Sequence, residues 1–286
     1  MTVDTAAASA CTFLFVPGNR PERVTKALES GAGMVIVDWE DALGPADKVA
    51  ARAQLVAALA GIRKPERARL AVRVNAAGTP WHADDLAALR DLAAQGLRSV
   101  VMPKAEDAAS LGIVASAVGP GGAVLPLIES AAGLDAVREI AAAPQVVRLM
   151  FGHIDFQADL GLLCGPGEEE LVPVRLAIVL ASRRAGLPPP VDGVTTETRE
   201  LALVQAHAVR ALRGGFGGKL CIHPAQVPAV HAAFAPTAEQ LDWARRVVTG
   251  FDAAQGGVFS VDGRMVDAPV VALARQLLQR AERLGV

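Results

Sequence analysis

The sequence alternates regularly between short apolar runs and longer segments with helical periodicity, and this alternation limits the possible folds more than any other feature. Each apolar run is nearly continuous, as expected for a strand of a parallel sheet that is covered on both faces. A run followed by a helical segment occurs eight times within residues 1–235. The pattern predicts an α/β protein built as a TIM (β/α)8 barrel, because eight consecutive units fit a closed barrel better than an open doubly wound sheet.

The apolar runs and the helical segments have clear limits in the sequence. The predicted strands are Thr12–Pro17, Met34–Glu40, Leu70–Asn75, Ser99–Lys104, Ala123–Glu129, Arg148–Ile154, Val191–Thr195 and Gly218–His223. The predicted helices that follow them are Pro21–Ser30, Ala46–Ala60, Trp81–Ala94, Glu106–Val118, Leu134–Ala142, Leu171–Ala185, Thr198–Leu212 and Pro228–Phe234.

Both ends of the chain depart from this alternation. Residues 236–286 are predicted to form a C-terminal extension or lid, separate from a barrel domain of residues 1–235. Within the extension, Ala238–Asp252 and Val270–Leu284 have helical patterns, and Gly256–Asp267 is typical of a glycine-rich hairpin or loop. Met1–Cys11 carries no Lys or Arg, so it lacks the basic start of a secretory signal and is predicted to be a short loose arm.

The composition excludes several classes of function. Lys and Arg number 28 and Asp and Glu number 30, and this net charge of −2 gives no sign of a nucleic-acid partner. The 3 cysteines include no CxxC pair, which argues against a disulfide framework and a thiolate zinc site. A dinucleotide-binding GxGxxG and a P-loop GxxxxGK[ST] are both missing, and the GGFGG of Gly214–Gly218 precedes a strand, which favours a tight turn.

One stretch is nominally long enough to cross a bilayer, since Ala108–Ile128 contains no charged residue. It includes several glycines and prolines, so a helix, a turn and a buried strand explain it better than a single lipid-exposed helix. We therefore expect a soluble protein of a reducing compartment, the cytoplasm, with no membrane partner.

Polar residues stand at the ends of several otherwise apolar strands, where the catalytic loops of a barrel meet. Glu129 ends the predicted fifth strand and Asp155 follows the sixth, and these strands are neighbours in the ring. Two carboxylates with room for water and substrate suit Mg²⁺, and Mn²⁺ could replace it. His153 lies two residues before Asp155 and would share its face of a strand, which leaves a His/Asp transition-metal site as an alternative.

Two further residues have two possible roles each. Arg73 lies near the end of the third strand, where its guanidinium could bind a substrate carboxylate in two-pronged fashion or form a structural ion pair with Glu40, Asp41 or Glu129. Asp267 lies in the extension before an Ala-Pro helix start, and its spacing fits both a helix N-cap and a catalytic role.

Taken in order along the chain, eight stretches resemble the family of citrate lyase β-subunits and CoA-ester lyases, of the HpcH/HpaI aldolase–citrate lyase superfamily. The stretches are FLFVPGNRPERVTKAL, VIVDWEDAL, AVRVN, VVMPKAE, PLIESAAGL, FGHIDFQADLG, GKLCIHPAQV and GRMVDAP. They run from about residue 12 to residue 269. The resemblance implies a Mg²⁺-dependent TIM barrel that forms or breaks a carbon–carbon bond beside a thioester.

The resemblance also implies roles for individual residues. Glu129 and Asp155 match the metal ligands of the family, with Glu129 also bordering the substrate. Arg73 matches the arginine that binds the substrate carboxylate. Glu40 and Asp41 match a pair that holds metal-bound waters. Phe15 and Arg20 match a region near CoA. Asp267 matches an acid/base that the C-terminal segment supplies to a neighbouring subunit of a trimer or hexamer.

The expected reaction is cleavage of a 3-hydroxy-3-carboxyacyl-CoA, such as malyl-CoA or citramalyl-CoA, into acetyl-CoA and a 2-oxo acid, or the reverse condensation. One alternative is a citrate lyase β-subunit that acts on a citryl thioester of an acyl-carrier protein. Another is a catalytically silent barrel that serves as a binding protein. Related class II aldolases have a histidine where Asp41 stands, which argues against a simple hydroxy-keto-acid aldolase.

Overall fold

Eight parallel strands close into a barrel in which each strand pairs with its neighbours in sequence and the last pairs with the first. The structure is a computed structural model that describes residues 6–255 and 257–286. The barrel strands are β1 (Thr12–Pro17), β2 (Met34–Asp38), β3 (Leu70–Arg73), β4 (Ser99–Met102), β5 (Ala123–Ile128), β6 (Met150–Phe151), β7 (Val191–Asp192) and β8 (Gly218–Cys221). The predicted TIM-barrel fold is confirmed.

One short helix precedes the first strand, and the others follow the strands around the barrel. They are α1 (Ala6–Ser9), α2 (Glu22–Glu29), α3 (Lys48–Leu59), α4 (Lys64–Arg67), α5 (His82–Ala94), α6 (Ala108–Val118), α7 (Ala131–Asp135), α8 (Val137–Ala142), α9 (His153–Leu160), α10 (Val172–Arg184), α11 (Leu201–Arg213) and α12 (Gln226–Phe234), with short 3-10 turns at Pro45–Asp47 and Glu169–Leu171. None of the described helices combines the length and apolar composition needed to cross a bilayer.

Alternate strand residues fill the barrel with one buried apolar cluster. Phe13, Ile36, Ala71, Leu127 and Leu220 belong to it, and each is at most 3 % exposed. Because side chains alternate between the two faces of a strand, the residue two positions further on points to the same side. Continuing this alternation past the apolar cluster places polar residues at the C-terminal mouth of the barrel.

Several predictions about local structure are wrong. The predicted strand Val191–Thr195 is a strand only at Val191–Asp192. The predicted strand Arg148–Ile154 is a strand only at Met150–Phe151, and helix α9 begins at His153. A short apolar run fits a strand and a buried helix turn equally well, so its pattern does not reveal where one ends. The N-terminal arm is not loose at Ala6–Ser9, which form a helical turn with Ala7 fully buried. Residues 1–5 of the predicted arm lie outside the described part of the chain.

The remaining residues form a second compact unit, Phe234–Val286, and the first unit ends at Ala233. Two long helices, α13 (Ala238–Ala253) and α14 (Ala268–Leu284), pack around a small apolar core of their own. An antiparallel hairpin joins them, made of β9 (Phe259–Val261) and β10 (Arg264–Val266). This hairpin lies within the predicted hairpin or loop, whose first residue, Gly256, is outside the described residues.

Candidate active site

A cavity of about 300 Å³ opens among the C-terminal ends of the barrel strands. The strand alternation explains its polar wall, because Asp38, Arg73 and Glu129 each lie two residues beyond a member of the apolar cluster. Apolar side chains complete the lining, among them Phe15 and Leu127. A few polar groups thus line a mostly apolar pocket, as in many ligand sites.

Arg73 is held by three carboxylates within the protein. Its Nε and Nη2 donate to the two oxygens of Asp38 at 2.7 and 2.6 Å. Its Nη1 lies 2.9 Å from Glu40 Oε2 and 3.2 Å from Asp41 Oδ2. The guanidinium carbon also sits 4.9 Å from the centre of the Phe15 ring. The structural ion pair therefore exists, and its strongest partner, Asp38, is one that the sequence analysis did not choose.

Glu129 is a buried carboxyl with one unused oxygen. It is 2 % exposed, and its Oε1 accepts from the backbone N–H of Lys104 at 2.7 Å. Its Oε2 is buried without a hydrogen-bond partner among the described residues. Burial, followed by the nearby charge of Glu40, raises the pKa of Glu129 to about 8. Gly152 permits this packing, since a Cβ there would lie 2.3 Å from Glu129 Oε2.

Glu40 and Asp41 follow β2 and share Arg73 as a partner, but their surroundings differ. Glu40 is 9 % exposed, and burial raises its pKa to about 7. Asp41 has 64 % of its side chain exposed. One carboxyl of the pair is therefore poised to exchange a proton near neutral pH, while the other faces solvent.

Asp155 lines the same cavity as Glu129, but it lies in the first turn of α9 and not at the end of a strand. His153 opens that helix and also lines the cavity. Its Nε2 lies 3.7 Å from Glu168 Oε1, and burial lowers its pKa to about 4, so it is neutral at pH 7. The expectation that His153 and Asp155 share a strand face is therefore wrong.

The carboxylates of the cavity are hard oxygen donors of the kind that bind divalent cations. A carboxylate oxygen with no partner, buried in a cavity beside a second carboxylate, suits a hard cation that keeps several waters. In residues 6–255 and 257–286, no group of three or more His, Cys, Asp or Glu side chains is arranged to enclose a metal. The arrangement fits Mg²⁺ held by Glu129 and Asp155, and it gives the His153 transition-metal alternative no third ligand.

Of the three remaining predicted site residues, Phe15, Arg20 and Asp267, only Phe15 lines the cavity. Phe15 lines the cavity, whereas Arg20 is exposed and pairs with Glu22 at 2.6 Å. Asp267 belongs to the second unit, where it caps α14 by accepting from the backbone N–H of Val270 at 3.3 Å. The N-cap role of Asp267 is therefore present, and its acid/base role stays a prediction.

Sequence reasoning missed a buried polar group next to the site. Lys48 is 4 % exposed and donates to Asn75 Oδ1 at 2.6 Å. Asn75 in turn donates to Asp85 Oδ2, also at 2.6 Å. No pattern in the sequence indicated it, because Lys48 lies five residues after the VIVDWEDAL stretch at the start of a helix, where a lysine is usually solvated.

Comparison with known proteins identifies the family. The model described as HpcH/HpaI aldolase/citrate lyase matches residues 12–224. The chain belongs to this family. A second model, described as a C-C bond lyase of the TIM-barrel fold, matches residues 192–286. The predicted family and the prediction of a carbon–carbon lyase are both confirmed.

Curated relatives of this HpcH/HpaI family member extend over nearly its whole length. A citrate lyase subunit beta-like protein of Mycobacterium tuberculosis is 38 % identical over 274 residues, 94 % of each chain. A (3S)-malyl-CoA thioesterase of Cereibacter sphaeroides is 32 % identical and covers 96 % of this chain and 95 % of its own. An L-malyl-CoA/beta-methylmalyl-CoA lyase of the same organism is 31 % identical and covers 95 % and 94 %.

A solved structure is also similar to this family member. The protein CitE of Mycobacterium tuberculosis, in complex with magnesium, acetoacetate and coenzyme A, matches with a TM-score of 0.83 and 37 % identity. The match covers 96 % of this chain and 99 % of that one.

Proposed function

We propose that this protein is a Mg²⁺-dependent lyase that cleaves a 3-hydroxy-3-carboxyacyl-CoA, such as malyl-CoA or citramalyl-CoA, into acetyl-CoA and a 2-oxo acid. The observation that carries the proposal is the partnerless Glu129 oxygen, buried beside Asp155 and Arg73 in the barrel mouth. The relatives named for malyl-CoA chemistry and the CitE complex with magnesium and coenzyme A support the choice of substrate class and cofactors.

In this proposal, Glu129 and Asp155 hold Mg²⁺ and Arg73 binds the substrate carboxylate. When bound, the cation acidifies the substrate hydroxyl and polarises the carbonyl that replaces it. Arg73 offers Nη1, the nitrogen with the longer contacts to Glu40 and Asp41. Its other two donors stay on Asp38, which keeps the guanidinium oriented while the substrate enters.

Cleavage needs a base for the hydroxyl proton and an acid for the departing carbon. As the hydroxyl O–H electrons form the new carbonyl, the carbon–carbon bond breaks and its electron pair becomes the enolate of acetyl-CoA. Glu40, with a pKa of about 7, is suited to accept the hydroxyl proton, either directly or through a water that it shares with Asp41. Asp267 of a neighbouring subunit in a trimer or hexamer then protonates the enolate carbon.

A panel of substrates tests the proposal. Malyl-, methylmalyl- and citramalyl-CoA are incubated with the enzyme with and without Mg²⁺, and acetyl-CoA or propionyl-CoA and the oxo acid are measured by chromatography. We expect cleavage of at least one thioester with Mg²⁺, and none after exhaustive chelation or in Glu129→Gln. Cleavage that survives chelation, or no cleavage of any member, rejects the proposal.

Two other activities are distinguished by products in the same assay. The relative named (3S)-malyl-CoA thioesterase favours hydrolysis as a second candidate, which releases free CoA and malate with no oxo acid. The relative named citrate lyase subunit beta-like favours a carrier-protein thioester, so citryl-acyl-carrier protein is included in the panel.

A further inference from the structure

A buried lysine lies behind the turn that carries Glu40. Lys48 stands at the start of α3, and its ammonium donates to the backbone carbonyls of Trp39 and Glu40, each at 2.8 Å. The third contact is Asn75 Oδ1 at 2.6 Å. An ammonium group has three N–H donors, so all three are used. A fully buried lysine is rare unless it is paired, and here all three acceptors are neutral oxygens.

The acceptors connect the segments that follow two neighbouring strands. Trp39 and Glu40 follow β2, and Asn75 lies two residues beyond Arg73 after β3. Asn75 also donates from Nδ2 to Trp39 O at 3.0 Å. Lys48 therefore links the two segments that hold the Glu40–Arg73 ion pair.

The link is anchored in the helix layer. Asp85, fully buried in α5, accepts from both the backbone N–H and the side chain of Asn75 at 2.7 and 2.6 Å. Arg52 of α3 donates to the same carboxylate at 2.8 Å. The Lys48 ammonium also lies over the Trp81 ring, 4.8 Å from its centre. The turn after β2 is thus tied through Lys48 to two helices that do not touch the cavity.

We propose that Lys48 is a positioning residue for the active site: its ammonium fixes the Trp39–Glu40 carbonyls and thereby keeps the Glu40 carboxylate on Arg73 and near Glu129. This inference rests on the proposed function, because the lyase reaction is what requires Glu40 at that point. Lys48 does not line the cavity and acts only through Glu40. Without the ammonium, the buried Asn75 Oδ1 loses its donor, and the carbonyls of Trp39 and Glu40 keep only Asn75 Nδ2 at 3.0 Å and the Leu43 N–H at 3.2 Å. A buried acceptor without a donor is costly, so Asn75 and the turn shift to find another one.

Lysine is the side chain that suits this position. Three acceptors surround one nitrogen, and a compact ammonium can point a proton at each. An arginine presents its donors in a flat fork, and a methionine has none, so neither reproduces the arrangement.

The first test is a double-mutant cycle between Lys48→Met and Glu40→Gln, read as kcat with the best thioester of the panel. We expect Lys48→Met to lower kcat by about 100-fold in the wild-type background, the size of effect that a small misplacement of a reacting group produces. In the Glu40→Gln background the same change is expected to cost less than about threefold. Equal losses in both backgrounds overturn the proposal, because a merely structural role is additive.

A matched control separates positioning from the loss of any buried cation. Arg148 is 2 % exposed and donates to the carbonyls of Pro189 and Ala10 at the opposite, N-terminal end of the barrel. Arg148→Met is expected to lower the melting temperature while leaving kcat at 15 °C within about twofold of wild type. A 100-fold loss of kcat in Arg148→Met would show that the loss of any buried cation lowers kcat, and the proposal for Lys48 would be rejected. If Lys48→Met fails to fold, Lys48→Arg enters the cycle with the same expectations.

A crystal structure of the Lys48 variant tests the geometry without any activity measurement. We expect the Glu40 carboxylate to leave Arg73, with Oε2 more than 4 Å from Nη1. A Glu40 carboxylate that stays at the wild-type distance of 2.9 Å overturns the proposal whether or not the enzyme cleaves a thioester. A wild-type enzyme that cleaves no thioester instead counts against the proposed function alone.

Discussion

Binding of Mg²⁺ should release about one proton from this protein at pH 7. The pKa of Glu129 is raised to about 8 by burial, so the carboxyl is about nine-tenths protonated at that pH. A carboxyl group must be ionised before it can ligate a cation, and the proton therefore leaves as the metal binds. Glu40, with a pKa of about 7, adds up to about half a proton because the cation also favours its charged form.

Isothermal titration calorimetry measures this number directly. The observed enthalpy of Mg²⁺ binding is determined at pH 7 in buffers with different ionisation enthalpies, and the slope of the plot is the number of protons transferred. We expect a slope of about 1 to 1.4 for the wild type, an affinity that rises by about tenfold per pH unit below pH 8, and a slope of at most about 0.5 for Glu129→Gln. A wild-type slope near zero with Mg²⁺ still bound would refute the reasoning.

The raised pKa of Glu129 also affects the stability of the metal-free protein, which should fall as the pH rises, whereas the affinity for Mg²⁺ should rise. The pKa of Glu129 is raised above its ordinary value of 4.5, so the folded state holds a proton that the unfolded state has lost between those two values. The contribution of this carboxyl to the free energy of unfolding is therefore full below about pH 4.5 and falls by up to about 1.4 kcal/mol per pH unit toward pH 8. Thermal unfolding of the metal-free protein should follow this fall, and Glu129→Gln should flatten it.

Three other predictions follow from the contacts of the site. Gly152→Ala places a Cβ against Glu129 and should weaken Mg²⁺ binding by at least about tenfold in calorimetry, whereas Gly112→Ala, with no atom within 4 Å of its added Cβ, should bind Mg²⁺ normally. Arg73→Lys should lower kcat/KM by about 100-fold because an ammonium cannot hold both oxygens of Asp38 and also offer a fixed donor to the substrate, and a variant with near-normal kinetics would contradict this. Asp267→Asn subunits mixed with Arg73→Ala subunits should regain part of the activity if sites are shared between subunits, and no recovery after exchange confirmed by mass spectrometry would exclude sharing.

The sequence predicted the barrel because its signal is repeated. Each predicted strand is a nearly continuous apolar run, and the first, Thr12–Pro17, has the same limits in sequence and structure. The sixth strand was overextended because Ile154 and Phe156 continue the apolar pattern into a helix. The chain passes from strand β6 to helix α9 at Gly152, and a glycine is compatible with both a continued strand and a turn into a helix.

The sequence predicted that polar residues of the site stand at the ends of strands. It predicted less well which residues pair with one another in ion pairs and hydrogen bonds. Asp38 and Arg73 are in register on adjacent strands, and this pairing could have been read from the predicted ends of β2 and β3. The contact of Lys48 with the Glu40 carbonyl could not be predicted, because Lys48 lies eight positions after Glu40 and no helix or strand period relates the two. Long side chains that reach back to a loop leave no pattern in a sequence of one protein.

The ion pairs of Arg73 have a consequence for the order in which ligands enter. Among the described residues that line the cavity, Arg73 is the only Arg or Lys, and three carboxylates already neutralise it. A negatively charged organic acid entering before the divalent cation would meet uncompensated negative charge, so we expect compulsory addition of metal first and acid second. Binding of the free oxo acid, measured by calorimetry without turnover, should then disappear when Mg²⁺ is withdrawn, so the cation would control substrate binding as well as bond cleavage.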